Sequence, residues 1–450
     1  MDHAKGGSVR TMNATEAKNT YLSAFPDWEK AALSKDPFWL RETREKALAA
    51  FGEAGFPTSK EETWRYTDLD HLFQLPFDLT GEKPAKAAVT AELKSLGFDT
   101  EKAYLAVFVN GHFSKELSHL PAGRSEEAPK SLIENLANGP LKREFAHILP
   151  FESRPLVALN YAYFTDGLFL HVPKGKKLEK PIHAVYLSTN TGHATQSHLR
   201  NLILMEEGSQ AILIEHYWGN NLKPYFTNAV TKVSLGKGAR LEHTKIQQES
   251  ALAYHLGVLA VHQETDSHLT SRVFSLGGAL GRSEVETALA EKGAHCLLEG
   301  LTLARGKQHL DIRTFIDHLA PSCRSEETFK AVVDNESTAI FDGNILVREN
   351  AQKTDARQSN KNLQLSTESK IYSKPQLQIY ADDVKCSHGS ATGQLDEEAL
   401  FYFESRGIGK AEAKRILVSA FAGEMVDRVS DEYLKEPLRR MVGEWLEGKS

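Results

Sequence analysis

The sequence predicts a mainly β protein built on a β-helix core, with helical regions before and after it. Three observations carry that expectation: short β-rich runs replace helical periodicity from about residue 150, turn signals recur every 12 to 17 residues, and helical periodicity returns after Leu395. The chain has 450 residues, and single cores stop growing at roughly 250 to 300 residues. Three regions are therefore expected: a helix-weighted mixed domain over 1–149, the core over 150–395 and a helical domain over 396–450.

In the first region Asp36 is placed to cap a helix with Pro37 at its first position, where the missing N–H costs nothing. Ala47, Leu48 and Phe51 give that helix an apolar face, and Gly52 or Gly55 ends it. The polar, aromatic-bearing stretch Glu61-Glu62-Thr63-Trp64-Arg65-Tyr66-Thr67 follows. Ala106-Val107-Phe108-Val109-Asn110-Gly111 reads as a strand entering a turn.

The core region offers runs such as Leu168-Phe169-Leu170-His171-Val172, Ala211-Ile212-Leu213-Ile214 and Ala239-Arg240-Leu241-Glu242-His243. Turn signals stand near Gly208, Asn221, Gly238, Ser250, Asp266, Gly278, Gly293, Gly306, Pro321, Glu336 and Asn350. Two turn-to-turn steps make a loose period of roughly 28, the signature of a solenoid whose coils bury their inner faces by stacking on one another. A large β-sandwich, also made of short strands and frequent turns, is the competing architecture.

After Leu395 the residues Val418, Phe421, Ala422, Met425, Val426 and Val429 form one apolar helical face. Ser430 is placed to cap a further helix, with Asp431 and Glu432 in its first turn and Leu434, Leu438, Met441, Val442, Trp445 and Leu446 as its stripe. Pro437 is expected to kink or restart it. Since solenoid coils depend mainly on their neighbours, removing residues 410–450 is expected to leave the β-helix folded.

Composition narrows the function. With 54 basic and 60 acidic residues, a formal charge of −6 and no long block of like charge, no nucleic-acid partner is indicated. Residues 1–13 lack the apolar centre of a signal peptide and no run reaches the roughly 18 apolar residues of a membrane span, so a cytoplasmic protein with no membrane partner is expected. The three cysteines, Cys296, Cys323 and Cys386, are odd in number and widely spaced, which favours a reducing compartment.

Nucleotide and metal motifs are missing. Gly277-Gly278-Ala279-Leu280-Gly281-Arg282-Ser283 lacks the lysine and spacing of a phosphate loop and reads as a turn between strands. Gly236-Lys237-Gly238 begins a dinucleotide fingerprint, but Leu241 stands where the third glycine belongs. Among 18 histidines none forms a helical zinc pair, and there is no Cys-x-x-Cys. His193, His198, His255 and His262 are read as surface or strand residues, and Cys296 as a small hydrophobe packed inside a coil.

Cys386 and His388 stand apart from these. They lie two positions apart in a β-compatible run, so both side chains project from one face, and a thiolate beside an imidazole can bind a soft or borderline metal. Two ligands do not close a site. The rest would have to come from a partner chain or from the metal cluster itself.

The stretches Ser373-Lys374-Pro375-Gln376-Leu377, Ala381-Asp382-Asp383-Val384-Lys385-Cys386-Ser387-His388-Gly389, Gly393-Gln394-Leu395-Asp396 and Leu400-Phe401-Tyr402-Phe403-Glu404-Ser405-Arg406-Gly407-Ile408 resemble the SufB/SufD family of the SUF iron–sulfur cluster assembly machinery. The likeness extends more weakly back to residues 63–67. Within the family the chain is similar to the SufD branch: Gly389 follows the motif histidine, and Leu365, in Asn362-Leu363-Gln364-Leu365-Ser366, occupies the place of the cluster-building cysteine of SufB.

The resemblance implies a right-handed parallel β-helix between helical ends and a non-catalytic scaffold without a nucleotide site. It implies pairing with a SufB-like paralogue along the last coils, with His388 as a metal ligand and Cys386 beside it. A SufC-like ATPase would dock on the C-terminal helices, for which Tyr402, Ser405, Arg406 and Glu424 are the candidate contacts. No cofactor is expected to stay bound to the chain alone, iron or an iron–sulfur cluster being held transiently in the complex. The rival readings are a carbohydrate-active β-helix enzyme, for which Asp311 and Asp317 would be enlisted, and a homodimeric binding module using the same edge strands.

Overall fold

The computed structural model describes residues 12–32, 36–74, 86–121, 128–138, 141, 145, 150–189, 194–219 and 223–448. The turn signal at Asn221 and His193 lie outside the described residues.

Successive strands alternate between two sheets, one of ten strands and one of nine, and almost every neighbouring pair is parallel. This is the predicted solenoid, not a sandwich, whose sheets would be antiparallel. The period agrees as well: from Thr195 onward, in-register partners lie between 26 positions apart, as for Tyr254 and Leu280, and 32, as for Thr338 and Lys370. The coils turn where the sequence signalled, with positive φ at Gly208, Gly238, Asp266, Gly278, Gly293 and Gly306, and at Ser322, Asn335 and Lys353 near the signals at Pro321, Glu336 and Asn350.

The interior is one apolar column in which Leu213, Leu241, Leu269, Cys296 and Ala356 are buried in successive coils. Both outer walls are covered too. Helices Lys410–Asp427 and Glu432–Leu446 lie on the ten-stranded sheet, where Val418, Met425, Leu434, Leu438 and Trp445 pack on Ile214, Ile246, Phe274, Leu301 and Val332. The N-terminal helices Ala14–Ala32 and Phe38–Ala54, with helix Pro155–Tyr163, cover the nine-stranded sheet. There Trp28, Phe51, Trp64 and Tyr163 meet Phe226, Leu256 and Leu280.

Two helix starts differ from expectation. Asp36 does not cap: the helix begins at Phe38, Pro37 is its N-cap, and the Asp36 carboxylate instead receives the Arg44 Nε–H at 2.9 Å in a buried pair. The buried Arg44 guanidinium needs a counter-charge more than the helix end needs a cap. Similarly, Asp431 rather than Ser430 caps the last helix, accepting from the Tyr433 N–H, because the Ser430 hydroxyl donates to Glu242 on the solenoid wall. That helix runs unbroken through Pro437, and Gly55 ends the Phe38–Ala54 helix.

The two ends of the solenoid are unlike. At the first, each sheet finishes in a two-residue antiparallel strand, His112–Phe113 in one and Lys130–Ser131 in the other. At the second, the outermost strands are Lys370–Ile379 and Lys385–Gly393, of ten and nine residues, each paired on one side only among the described residues. Strand Tyr104–Val109, from the N-terminal region, is part of the ten-stranded sheet through its parallel pairing with Ile182–Leu187.

Candidate functional site

Cys386 and His388 sit on the last strand, Lys385–Gly393. Register fixes their direction. Cys386 lies over Ala356, Ser325 and Cys296, and His388 over Gln358, Glu327 and Leu298, all buried in the coil interior. Both residues therefore belong to inward-facing rows, as their spacing predicts. Since no coil follows, His388 is exposed while Cys386 keeps a half-buried place against the core. Burial raises the Cys386 thiol above its ordinary value, and the Asp355 carboxylate pushes the same way, although a hydrogen bond with the Ala356 backbone opposes them. The sulfur thus rests as a thiol, and metal ligation would require displacing its proton.

Polar side chains surround this open end. The Ser373 hydroxyl donates to Asn360 Oδ1 at 2.7 Å and shares a 2.7 Å bond with Ser390, and Asn362 Nδ2 reaches Asn360 at 2.6 Å and Thr392 at 3.2 Å. These bonds tie the two final strands to the coil beneath. Deeper in the His388 row, Gln358 Nε2 donates to Glu327 Oε2 at 2.5 Å. Desolvation pushes the buried Glu327 carboxyl up to about 7, against hydrogen bonds from Thr314 and Gln358. No group of three or more His, Cys, Asp or Glu side chains is assembled as a metal site among the described residues. Leu365 packs against the C-terminal helices, away from this end's interior rows.

The four docking candidates separate. Tyr402, Ser405 and Arg406 lie on or just beyond helix Glu397–Ser405, with Tyr402 58% exposed, its neighbour Phe401 70% exposed, and the Arg406 guanidinium 5.3 Å from the Tyr402 ring centre. The Ser405 hydroxyl is turned back onto the Tyr402 carbonyl. Glu424, on the next helix, is already committed: its carboxylate pairs with Lys330 at 2.5 Å and with Arg428 at 3.7 Å. It thereby holds the helix to the solenoid.

The interior also holds a polar cluster that the sequence reading missed. The Ser271 hydroxyl lies 2.9 Å from His243 Nδ1, and His243 Nε2 lies 3.0 Å from Glu215 Oε2. Lys245 Nζ donates to Ser283 at 3.0 Å, and burial lowers this ammonium to about 8. The connectivity matches a hydrolase triad, yet these side chains are buried and the void beside them is about 10 Å³, room for one water and no substrate. Inward-facing polar positions with a spacing of one coil, as from Glu215 to Lys245, were the signal available.

Other candidates are accounted for by packing. Asp311 is buried between Arg282, Arg313 and Thr67, and Asp317 is held by Arg348. His198 and His255 are buried strand residues, His262 is exposed, and Cys296 is inside the coil as expected. The stretch over 61–67 straps the nine-stranded sheet: Arg282 stacks 3.7 Å from the Trp64 ring centre and Tyr66 stacks on Tyr372 at 4.4 Å. Beside it runs a groove of about 560 Å³ whose cations Arg154, Arg282, Arg313 and Lys374 are each paired with a carboxylate.

Comparison with known proteins points to one family. Residues 186–421 match the SUF system FeS cluster assembly, SufBD core domain, and residues 15–184 match the SufBD protein N-terminal region. A SufBD family iron–sulfur cluster assembly protein of Synechocystis is 30% identical over 89% of both chains. The Escherichia coli iron–sulfur cluster assembly protein SufD is 29% identical over 88% of this chain and 90% of its own. A chloroplastic Arabidopsis thaliana protein, ABCI7, is 31% identical over 90% and 85%.

Proposed function

The chain belongs to the SufBD family of SUF-system iron–sulfur cluster assembly proteins, and from that premise we propose that it is the SufD-like scaffold on whose open end a cluster is built with a SufB-like partner. The observation that carries the proposal is the unfinished last coil. It presents an imidazole and a thiol in two adjacent inward rows, at the rim of two strands whose outer edges have no partner among the described residues. Iron is the cargo, not a resident cofactor. His388 and Cys386 supply two of its ligands at most, and the partner's edge, continuing the parallel sheets, supplies the others.

The exposed pair Phe401 and Tyr402, with Arg406, forms the docking face for a SufC-like ATPase in this reading. ATP hydrolysis then belongs to that subunit, and the chain itself acts as a non-catalytic scaffold in the cytoplasm. A tagged chain expressed with its neighbouring gene products is expected to bring down a SufB-like and an ATPase-like polypeptide, and to hydrolyse no ATP once purified alone. Recovery of the chain only with itself would favour a homodimer through the same edges.

Anaerobic reconstitution with iron and sulfide tests the ligand assignment. His388→Ala is expected to leave the complex intact on gel filtration while the visible absorbance of the cluster falls at least about tenfold. Cys386→Ser is expected to lower it less, since the partner supplies sulfur. An undiminished cluster in the His388 variant would reduce this end to a structural joint.

A further inference from the structure

His388 continues a row whose two buried members beneath it are polar, Gln358 one coil below and Glu327 two coils below. The Glu327 carboxylate accepts the Gln358 Nε2–H at 2.5 Å, which fixes which way the amide is turned. The other half of that amide, Gln358 Oε1, is buried and has no hydrogen-bond partner among the described residues, an unfavourable state for a buried acceptor. The rest of the last coil is satisfied: Ser390 and Thr392 on the same strand are tied to Ser373 and Asn362. His388 has no hydrogen-bond partner among the described residues, and its parallel neighbour in register, Gln358, stands one strand spacing away, about 4.8 Å.

The geometry points to Glu327 and Gln358 as positioning residues for His388, with Glu327 holding the Gln358 amide so that its free Oε1 accepts the imidazole N–H when the ring lies down over the coil. This inference rests on the reading of His388 as a ligand and adds how the ring is oriented. An imidazole that donates one N–H to a carbonyl has its tautomer fixed and its other nitrogen turned outward, toward the metal and the partner. The contact is intrinsic to this chain and needs no partner to form. Gly343 serves the same arrangement: a Cβ there would come within 2.3 Å of Gln358 Nε2, so the facing wall leaves room for the amide.

Nitrogen-15 spectra of the full chain with labelled histidine rings test it directly, with His388→Ala identifying the His388 signals. The unmodified chain is expected to show His388 in one tautomer at neutral pH. Gln358→Leu and Glu327→Leu are expected to convert it to the averaged signals of a free ring, and Glu327→Gln, whose carbonyl still accepts from Gln358, to preserve the single tautomer. Averaged signals in the unmodified chain, or a tautomer unaffected by Gln358→Leu, would overturn the proposal. In the reconstituted complex Gln358→Leu is expected to lower cluster formation about tenfold, and Glu327→Gln, with Gln358 in place, to retain most of it. Full cluster yield in His388→Ala, with the tautomer still dependent on Gln358, would sink the ligand reading and leave the positioning contact standing.

Discussion

Glu327 is a buried acid whose free energy depends on pH in a predictable sense. Burial raises its carboxyl from 4.5 to about 7, so between those values the folded chain holds a proton that the unfolded chain has released. Its contribution to stability is complete below about pH 4.5 and is lost as pH rises through 7. Glu327→Gln removes the ionisable group and is expected to stabilise the chain on the order of 3 kcal/mol above pH 7, the gap closing toward pH 4. Urea midpoints at pH 5 and pH 8 measure this; a gap that does not widen with pH would contradict it. A second residue with a definite cost is Gly277, in the stretch that fails as a phosphate loop. A Cβ there would lie 2.2 Å from the Glu249 carbonyl oxygen of the coil below, so Gly277→Ala is expected to destabilise by about 1–3 kcal/mol, read from the denaturation midpoint. Coil stacking, not nucleotide binding, explains that glycine.

At the scale of elements, the strands were legible and their surroundings were not. Turn residues such as Gly238 and Gly306 announced themselves because a left-handed backbone favours glycine. Polar residues inside the solenoid did not. Glu215 is paired with His243, 28 positions on, and Glu327 with Gln358, 31 positions on, beyond any local pattern. Nor does alternation reveal a strand such as Ile182–Leu187, all six residues of which are buried because helices or neighbouring chain cover its outer face too. The C-terminal stripes were legible as helices, but not as wall panels. Because Met425 and Leu438 pack on Ile214, Phe274 and Leu301, removing residues 410–450 bares that wall, contrary to the stacking argument. The truncated chain is expected to bind a hydrophobic dye and lose cooperative unfolding, while Met425→Ala costs about 2–5 kcal/mol. A truncation that melts like the full chain would show the panel to be dispensable.

For the molecule as a whole, the charge network between Arg272, Glu299, Arg428, Glu424 and Lys330 joins solenoid to helix across a single flank. An ATPase that engaged Glu424 would have to compete with Lys330, whose ammonium is nearly buried. Glu424→Gln therefore separates two roles: it is expected to weaken the flank modestly in thermal melts, and a loss of ATPase capture larger than that loss of stability would locate the docking contact there. The unlike ends of the solenoid bear on how many such molecules can join. Long edge strands left unpaired are templates for further pairing, and two-residue antiparallel strands are not. A chain that pairs through its long-stranded end alone has a valence of one. Two monovalent units terminate each other, so light scattering at rising concentration is expected to level off at the mass of a pair and not to climb as a filament would; a steady climb would show that the short-stranded end also pairs.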